Sequence, residues 1–361
     1  MLSRVFVATG LFAITAAAQS VPKFEPDPFW PKPLPNNWML GQVGGIFVDS
    51  HDHIWVNSRP RTLDNNDKYA ALDPPQADCC IPSPPVLEFD QAGNLIQAWG
   101  GPGAGYEWPD NEHGMFVDYK GNVWIGGNGE NDGMVLKFTN DGKFLMAIGK
   151  SAAQTNSLDK TRVGRAADMV VDPATNELYV ADGYFNHRVV VFDADSGAFK
   201  RTWGAYGKQP TDEKITYDAK LLPQQFNNPV HGVRITNDGL VVVSDRGNNR
   251  IQVFRKDGTF VREYPVLRDT TGPGVTGSTV FWPDKGQTYW FTSDDPNGQI
   301  HVIRRSDGAV VGNFGRVGRG LGEFENLHNI AIDSKGNIYT AEVQGQRIQR
   351  FLYKGGLPPI N

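Results

Sequence analysis

Residues 231–254 read His231-Gly232-Val233-Arg234-Ile235-Thr236-Asn237-Asp238-Gly239-Leu240-Val241-Val242-Val243-Ser244-Asp245-Arg246-Gly247-Asn248-Asn249-Arg250-Ile251-Gln252-Val253-Phe254. An apolar run meets an Asn-Asp-Gly turn, a second apolar run ends on an acidic residue, and a third follows an arginine and ends on Phe. Short runs punctuated by Gly, Asn and Asp are strands of a meander, not helices. The same order recurs along the chain. Gly45-Ile46-Phe47-Val48-Asp49 leads to Ile54-Trp55-Val56, Gly114-Met115-Phe116-Val117-Asp118 to Val123-Trp124-Ile125, and Met169-Val170-Val171-Asp172 to Leu178-Tyr179-Val180. A degenerate copy lies near Val280 to Thr292, and Ile330-Ala331-Ile332-Asp333 precedes Ile338-Tyr339-Thr340. Arg188-Val189-Val190-Val191-Phe192 is a further third strand, and Phe199-Lys200-Arg201-Thr202-Trp203-Gly204 a fourth.

Six copies of four short strands, about 57 residues each, describe an all-β, six-bladed β-propeller. The sixth copy stops at Phe351-Leu352-Tyr353 without a fourth strand. Trp38-Met39-Leu40-Gly41 resembles the missing one, which predicts a ring closed by an N-terminal strand so that no sheet edge is left open. The predicted organisation is a signal peptide over 1–18, an extended segment over 19–36 and the propeller over 37–361, with a Pro-rich insertion at about 60–85.

Arg4, the apolar stretch Val5–Ala18 and the small residues Ala16-Ala17-Ala18 form a signal-peptide pattern, with cleavage expected near Ala18 and a mature start at Gln19. The apolar run is short for a membrane span and none follows it. A secreted or periplasmic protein is expected. Forty-one Gly, 24 Pro and 40 Phe, Tyr and Trp residues fit turns and aromatic strands. A net charge of −5 without a Lys/Arg run excludes nucleic acid as a natural partner. A small molecule or a peptide is the expected substrate. The two cysteines, Cys79 and Cys80, are adjacent. They are either a vicinal disulfide, which export permits, or two thiols.

His113, His231 and His328 occupy one repeat position, at the start of the innermost strand, in blades two, four and six. Asp168 is assigned that position in blade three and Gly44 in blade one. His231 and Asp245, His328 and Glu342, and Asp168 and Asp182 are each fourteen residues apart, so both ends of each inner hairpin reach one face of the ring. Three imidazoles from alternate blades around a central channel are a catalytic zinc arrangement with a position left open; iron is the other metal considered. His51 and His53 are expected in a solvated turn, His301 on an outer strand, and His187 receives no role. Arg59, Tyr184 and Arg246 follow the second-strand ends and converge on the same rim. A tyrosine between arginines is expected to hold a lowered phenol pKa and to serve as a general base.

These residues resemble the peptidyl-α-hydroxyglycine α-amidating lyases over about residues 30–353. The likeness rests on Leu40-Gly41-Gln42-Val43 leading to Arg59, His113-Gly114, Asp182-Gly183-Tyr184-Phe185-Asn186-His187-Arg188, Asp245 to Gln252, and Leu327-His328. NHL-repeat propellers in general share the Asp, Asn and Arg of these stretches. The three histidines with Tyr184, Arg59 and Arg246 are the more specific part. The resemblance implies that His113, His231 and His328 bind zinc, that Tyr184 takes a hydroxyl proton, and that Arg59 and Arg246 neutralise charge and bind the substrate carboxylate. It implies C–N cleavage of a carbinolamide to an amide and glyoxylate. It also implies a structural calcium held by backbone oxygens at Ile46 and Met115 and by an Asp. Asn329 stands at that acidic position, which removes a carboxylate and weakens the calcium expectation. Phe185 replaces a cysteine of the family. Two other readings stand beside this one: a non-catalytic propeller that binds a protein or glycan, and a metal-dependent propeller hydrolase with Asp168 as its base.

Overall fold

A computed structural model describes residues 22–151 and 155–360. The signal-peptide pattern and Gln19 lie outside the described residues. The described residues form six four-stranded antiparallel sheets, with one further two-stranded pairing. The innermost strands are Gln42–Val48, Glu112–Val117, Ala166–Asp172, Val230–Ile235, Thr279–Phe281 and Leu327–Ile332. The degenerate fifth copy is a full blade, completed by Tyr289–Asp294, Gln299–Arg304 and Val310–Phe314.

The strand that completes the sixth blade is not Trp38–Gly41. Phe24–Pro26 pairs with Phe351–Tyr353 and fills that edge. Its Phe24 ring stacks on Phe314 of blade five, with centroids 4.6 Å apart, so the added strand also joins two blades. Trp38–Met39 instead pairs in parallel with Ile81–Pro82 of the Pro-rich insertion. Asn37 Nδ2 donates to Asp78 O at 3.0 Å beside it, and Cys79 and Cys80 are joined as a disulfide. The aromatic-Gly pattern at Trp38–Gly41 misled because it matches a fourth strand in composition, while the actual edge strand is three residues long.

Two polar devices explain why the repeat keeps its acids. Asp118 closes the first turn by accepting the backbone N–H groups of Lys120 and Asn122, both at 2.9 Å, and Trp124 Nε1 at 2.9 Å. Asp49 with Trp55 and Asp333 with Tyr339 repeat the aromatic contact. Each acid therefore ties a turn to a buried aromatic of the next strand. Gly121, at φ +78°, supplies the left-handed corner of this turn. Asp49 also accepts the N–H of His53, whose Nδ1 lies 2.7 Å from Glu88 Oε1; His53 is thus paired, not solvated, while His51 is exposed.

The second device sits at the other face. Asp245 accepts from Arg250 Nε at 2.7 Å and Asn248 Nδ2 at 2.8 Å, while Arg250 also donates to the carbonyls of Pro223 and Gln225. Asp182, Asn186 and Arg188 repeat this in blade three, with both charges fully buried. In blade five His301 replaces the arginine, 2.6 Å from Asp294. In blades three and four the arginine clamps the loop that leads into the inner strand of its own blade, and so fixes where that strand begins. Breaking a buried pair leaves an uncompensated charge. Arg250→Ala is expected to cost roughly 3–5 kcal/mol and to lower the thermal midpoint by about 5 °C in a chain of this size, measured by calorimetry.

Candidate metal centre and catalytic rim

Each histidine occupies an irregularity at the start of its inner strand. The register shifts between Val230 and Gly232, between Leu327 and Asn329, and between Glu112 and Met115. An extra residue at such a bulge is unpaired and its side chain is re-aimed. The intervening blades carry the same bulge at Gly44, Ala167 and beside Gly277, and there the side chains are small. Their carbonyls do the complementary work. His113 Nδ1 lies 2.7 Å from Ala167 O, His231 Nδ1 2.9 Å from Gly277 O, and His328 Nδ1 2.9 Å from Gly44 O. A carbonyl only accepts, so each ring donates its Nδ1 proton and turns a bare Nε2 inward. Three histidine-bearing blades alternate with three carbonyl-bearing ones.

The rings converge to centroid separations of 4.5–5.0 Å and are buried. Burial, then the neighbouring imidazoles and arginines, hold His113 and His328 well below the ordinary histidine pKa. Burial and Arg246 do the same for His231. All three are neutral. His231 Nε2 and His328 Nε2 are 3.2 Å apart, with no proton to share between them. Two nitrogens bound to one zinc at about 2.0–2.1 Å in tetrahedral geometry lie roughly 3.3 Å apart. The donor set therefore fits a divalent metal, and three neutral imidazoles suit zinc or another borderline ion.

Tyr184 supplies the oxygen at the open side. Its hydroxyl lies 2.9 Å from His113 Nε2 and 3.0 Å from His231 Nε2. Gly183 makes this placement possible, because a Cβ there would lie 2.1 Å from Val230 O. A Gly183→Ala change drives a Cβ into the Val230 backbone beside His231, so it is expected to displace the phenol and to lower bound metal with it. Metal content and steady-state rates check it together.

The environment of Tyr184 differs from the sequence expectation. Burial raises its pKa, and the nearby Arg246 and Arg59 pull it down without reversing the shift. Desolvation outweighs the cations because the hydroxyl is enclosed by the imidazoles. Arg246 and Asn128 also lie close enough to the oxygen to draw its pKa down. Asn128 Oδ1 in turn accepts from Asn111 Nδ2 at 2.5 Å. Sequence reasoning missed Asn128, which lies beyond a second strand just as Arg59, Tyr184 and Arg246 do.

The two arginines are buried and incompletely paired. Arg59 Nε donates to Glu112 O at 2.6 Å, and its Nη2 has no partner. Arg246 reaches Asp295 only at 3.5 Å, and its Nε has no partner. Gly44 gives Arg59 its place, since a Cβ there would lie 3.1–3.2 Å from Nε and Nη2. Unsatisfied guanidinium N–H groups of this kind can receive a carboxylate.

Asp168 is not part of this rim. The bulge residue equivalent to His231 is Ala167; Asp168 stands one place further on. Its carboxylate accepts from Arg234 Nη1 and from the Val233 N–H at 3.1 Å. Arg234 lines a cavity of about 650 Å³ at the opposite mouth of the channel. Equal sequence spacing hid a one-residue offset of the bulge. The positions matching the calcium site, Ile46, Met115 and Asn329, lie on adjacent inner strands of blades one, two and six. Asn329 Nδ2 donates to Gly44 O at 2.7 Å, so its amide is engaged and no carboxylate joins the two carbonyls. Without the carboxylate these residues offer calcium a weaker set of oxygens than the resemblance implies.

The NHL repeat family matches residues 226–254, the stretch that spans His231, Asp245 and Arg250. Peptidyl-alpha-hydroxyglycine alpha-amidating lyase 2 of Drosophila melanogaster is 25% identical over 245 residues, covering 64% of this chain and 52% of that protein. The chain is a six-bladed propeller with one NHL-repeat match, and it is similar to the amidating lyases. Peptidyl-glycine alpha-amidating monooxygenase B of Xenopus laevis is 25% identical over 342 residues and 91% of this amidating-lyase-like chain. The chain spans about a third of that relative's length, 35%. A solved streptogramin B lyase has the same fold, with a TM-score of 0.53 at 13% identity, covering 92% of this chain and 98% of its own. Among the described residues no helix is long and apolar enough to cross a membrane.

Proposed function

We propose that this protein is an exported, metal-dependent carbon–nitrogen lyase that cleaves a carbinolamide of the peptidyl-α-hydroxyglycine type. The observation that carries this reading is the set of three bare Nε2 atoms closed on one side by the Tyr184 hydroxyl and flanked by two arginines with unpartnered N–H groups. His113, His231 and His328 would hold a zinc or iron ion, which would supply Lewis acidity at the open side of the cluster. Arg59 and Arg246 bind the carboxylate and orient the hydroxyl-bearing carbon toward Tyr184. With a cation held beside it and Arg59 and Arg246 flanking it, Tyr184 would shed the phenol proton that burial otherwise retains, and as its phenolate it takes the hydroxyl proton. The oxygen's electron pair forms the aldehyde C=O, the C–N bond breaks, and its electrons go to nitrogen. The proton returns from Tyr184 to that nitrogen, giving an amide and glyoxylate in equal amounts. The enclosure of Tyr184 keeps water from competing for this proton.

The hydrolase alternative needs a carboxylate base, and Asp168 is engaged by Arg234 away from the tyrosine. A purely binding propeller does not require three imidazoles with their second nitrogens held by carbonyls. The decisive assay incubates metal-loaded protein with an N-acyl peptidyl-α-hydroxyglycine at neutral pH. Glyoxylate and peptide amide are expected one to one; release no faster than the spontaneous rate rejects the reading.

A further inference from the structure

Arg165 lies in the loop that enters blade three, beside Tyr184: its carbonyl accepts the Tyr184 N–H at 3.3 Å. Its φ is +63°, left-handed backbone that a residue with a Cβ adopts at a cost of about 1 kcal/mol or more. Its guanidinium carbon sits 5.6 Å from the Phe185 ring centroid, and its buried Nε has no partner. Among the described residues Arg165 makes no ion pair. Asp132, whose carbonyl accepts the Arg165 N–H, has its carboxylate filled by the N–H groups of Asp110, Asn111 and Gly129. A cation stacked on an aromatic, held in a strained backbone and left without an anion is prepared for one that arrives from outside.

We propose that Arg165 is a specificity-determining residue that selects substrates carrying a carboxylate on the acyl side of the scissile C–N bond. This rests on the lyase reading for the orientation of the substrate. Arg59 and Arg246 flank the phenol and take the glyoxylate-forming half. Arg165, whose carbonyl binds the Tyr184 N–H and which stands two residues before the Ala167 carbonyl that holds His113, lies at the same mouth and is assigned to the half that leaves as the amide. Substrates whose residue before the hydroxyglycine is Glu or Asp are therefore favoured over neutral or basic ones.

The test uses two unreactive peptides, N-acetyl-Glu-Gly and N-acetyl-Gln-Gly, titrated calorimetrically into the full metal-loaded protein. The glutamyl peptide is expected to bind about fivefold tighter, the ratio from one partly exposed charge pair. Arg165→Gln should bring the ratio to one and Arg165→Lys should retain part of it. In the wild-type protein, 0.5 M NaCl should shrink the ratio, which gives a readout that needs no variant. Equal binding of both peptides, no binding of either, or a ratio that survives Arg165→Gln overturns the proposal. Glyoxylate release is scored separately: discrimination without glyoxylate contradicts the lyase reading and leaves the selectivity intact.

Discussion

Replacing Tyr184 by Phe is expected to lower kcat for glyoxylate release by about 10²–10⁴-fold, the usual contribution of a positioned acid–base group. The substitution removes one oxygen and leaves the ring. That oxygen touches His113 and His231 at 2.9 and 3.0 Å, with Arg246 and Asn128 near enough to draw its pKa down. The rings around it pack edge-on, with centroids at 4.8 and 5.6 Å, so the phenylalanine keeps the same seat. Bound metal and thermal midpoint should stay within error of wild type. KM should move little, because the carboxylate is held by Arg59 and Arg246. A Phe variant with full kcat rejects Tyr184 as the proton carrier. Loss of metal along with rate would assign it to the ion instead.

His231→Ala is expected to have the second large effect. His231 is the hub of the cluster, since its Nε2 contacts both His328 Nε2 and the Tyr184 hydroxyl. Two imidazoles remain in the variant, too few for a three-ligand catalytic site. Metal per chain should fall to below about one tenth, and turnover by at least about 1,000-fold, as the ion's Lewis acidity goes with it. The same change leaves Gly277 O without its donor, so some stability is lost as well. His328→Ala separates the two effects: it also empties the site but frees Gly44 O, to which Asn329 still donates. If either variant retains a full equivalent of metal and normal rates, the imidazoles are structural.

Much of this was legible in the chain. The alternation of strand and turn announced the blades, and the shared phase of His113, His231 and His328 announced their meeting. Both readings depend on local periodicity, which sequence preserves. What failed depended on offsets that periodicity does not carry. Asp168 shares the fourteen-residue spacing, yet its blade places the bulge at Ala167, one residue earlier, and that shift turns its carboxylate toward Arg234. Phe24–Pro26 closes the ring with three residues of no particular pattern, so a better-patterned segment was preferred. The phenol of Tyr184 was expected to be acidified by its arginines. How deeply it is enclosed is set by blades two, three and four together, and no single stretch encodes that. The small residues opposite each histidine were visible as Gly44, but their carbonyls emerged as partners only in the assembled ring.

The central claim is that the middle of the ring is a metal centre. Elemental analysis of the purified protein, after dialysis against metal-free buffer, tests it most directly. About one zinc or iron per chain is predicted, falling to background in His231→Ala. Less than about half an equivalent in the wild-type protein after incubation with either metal, or an equal content in the variant, contradicts it.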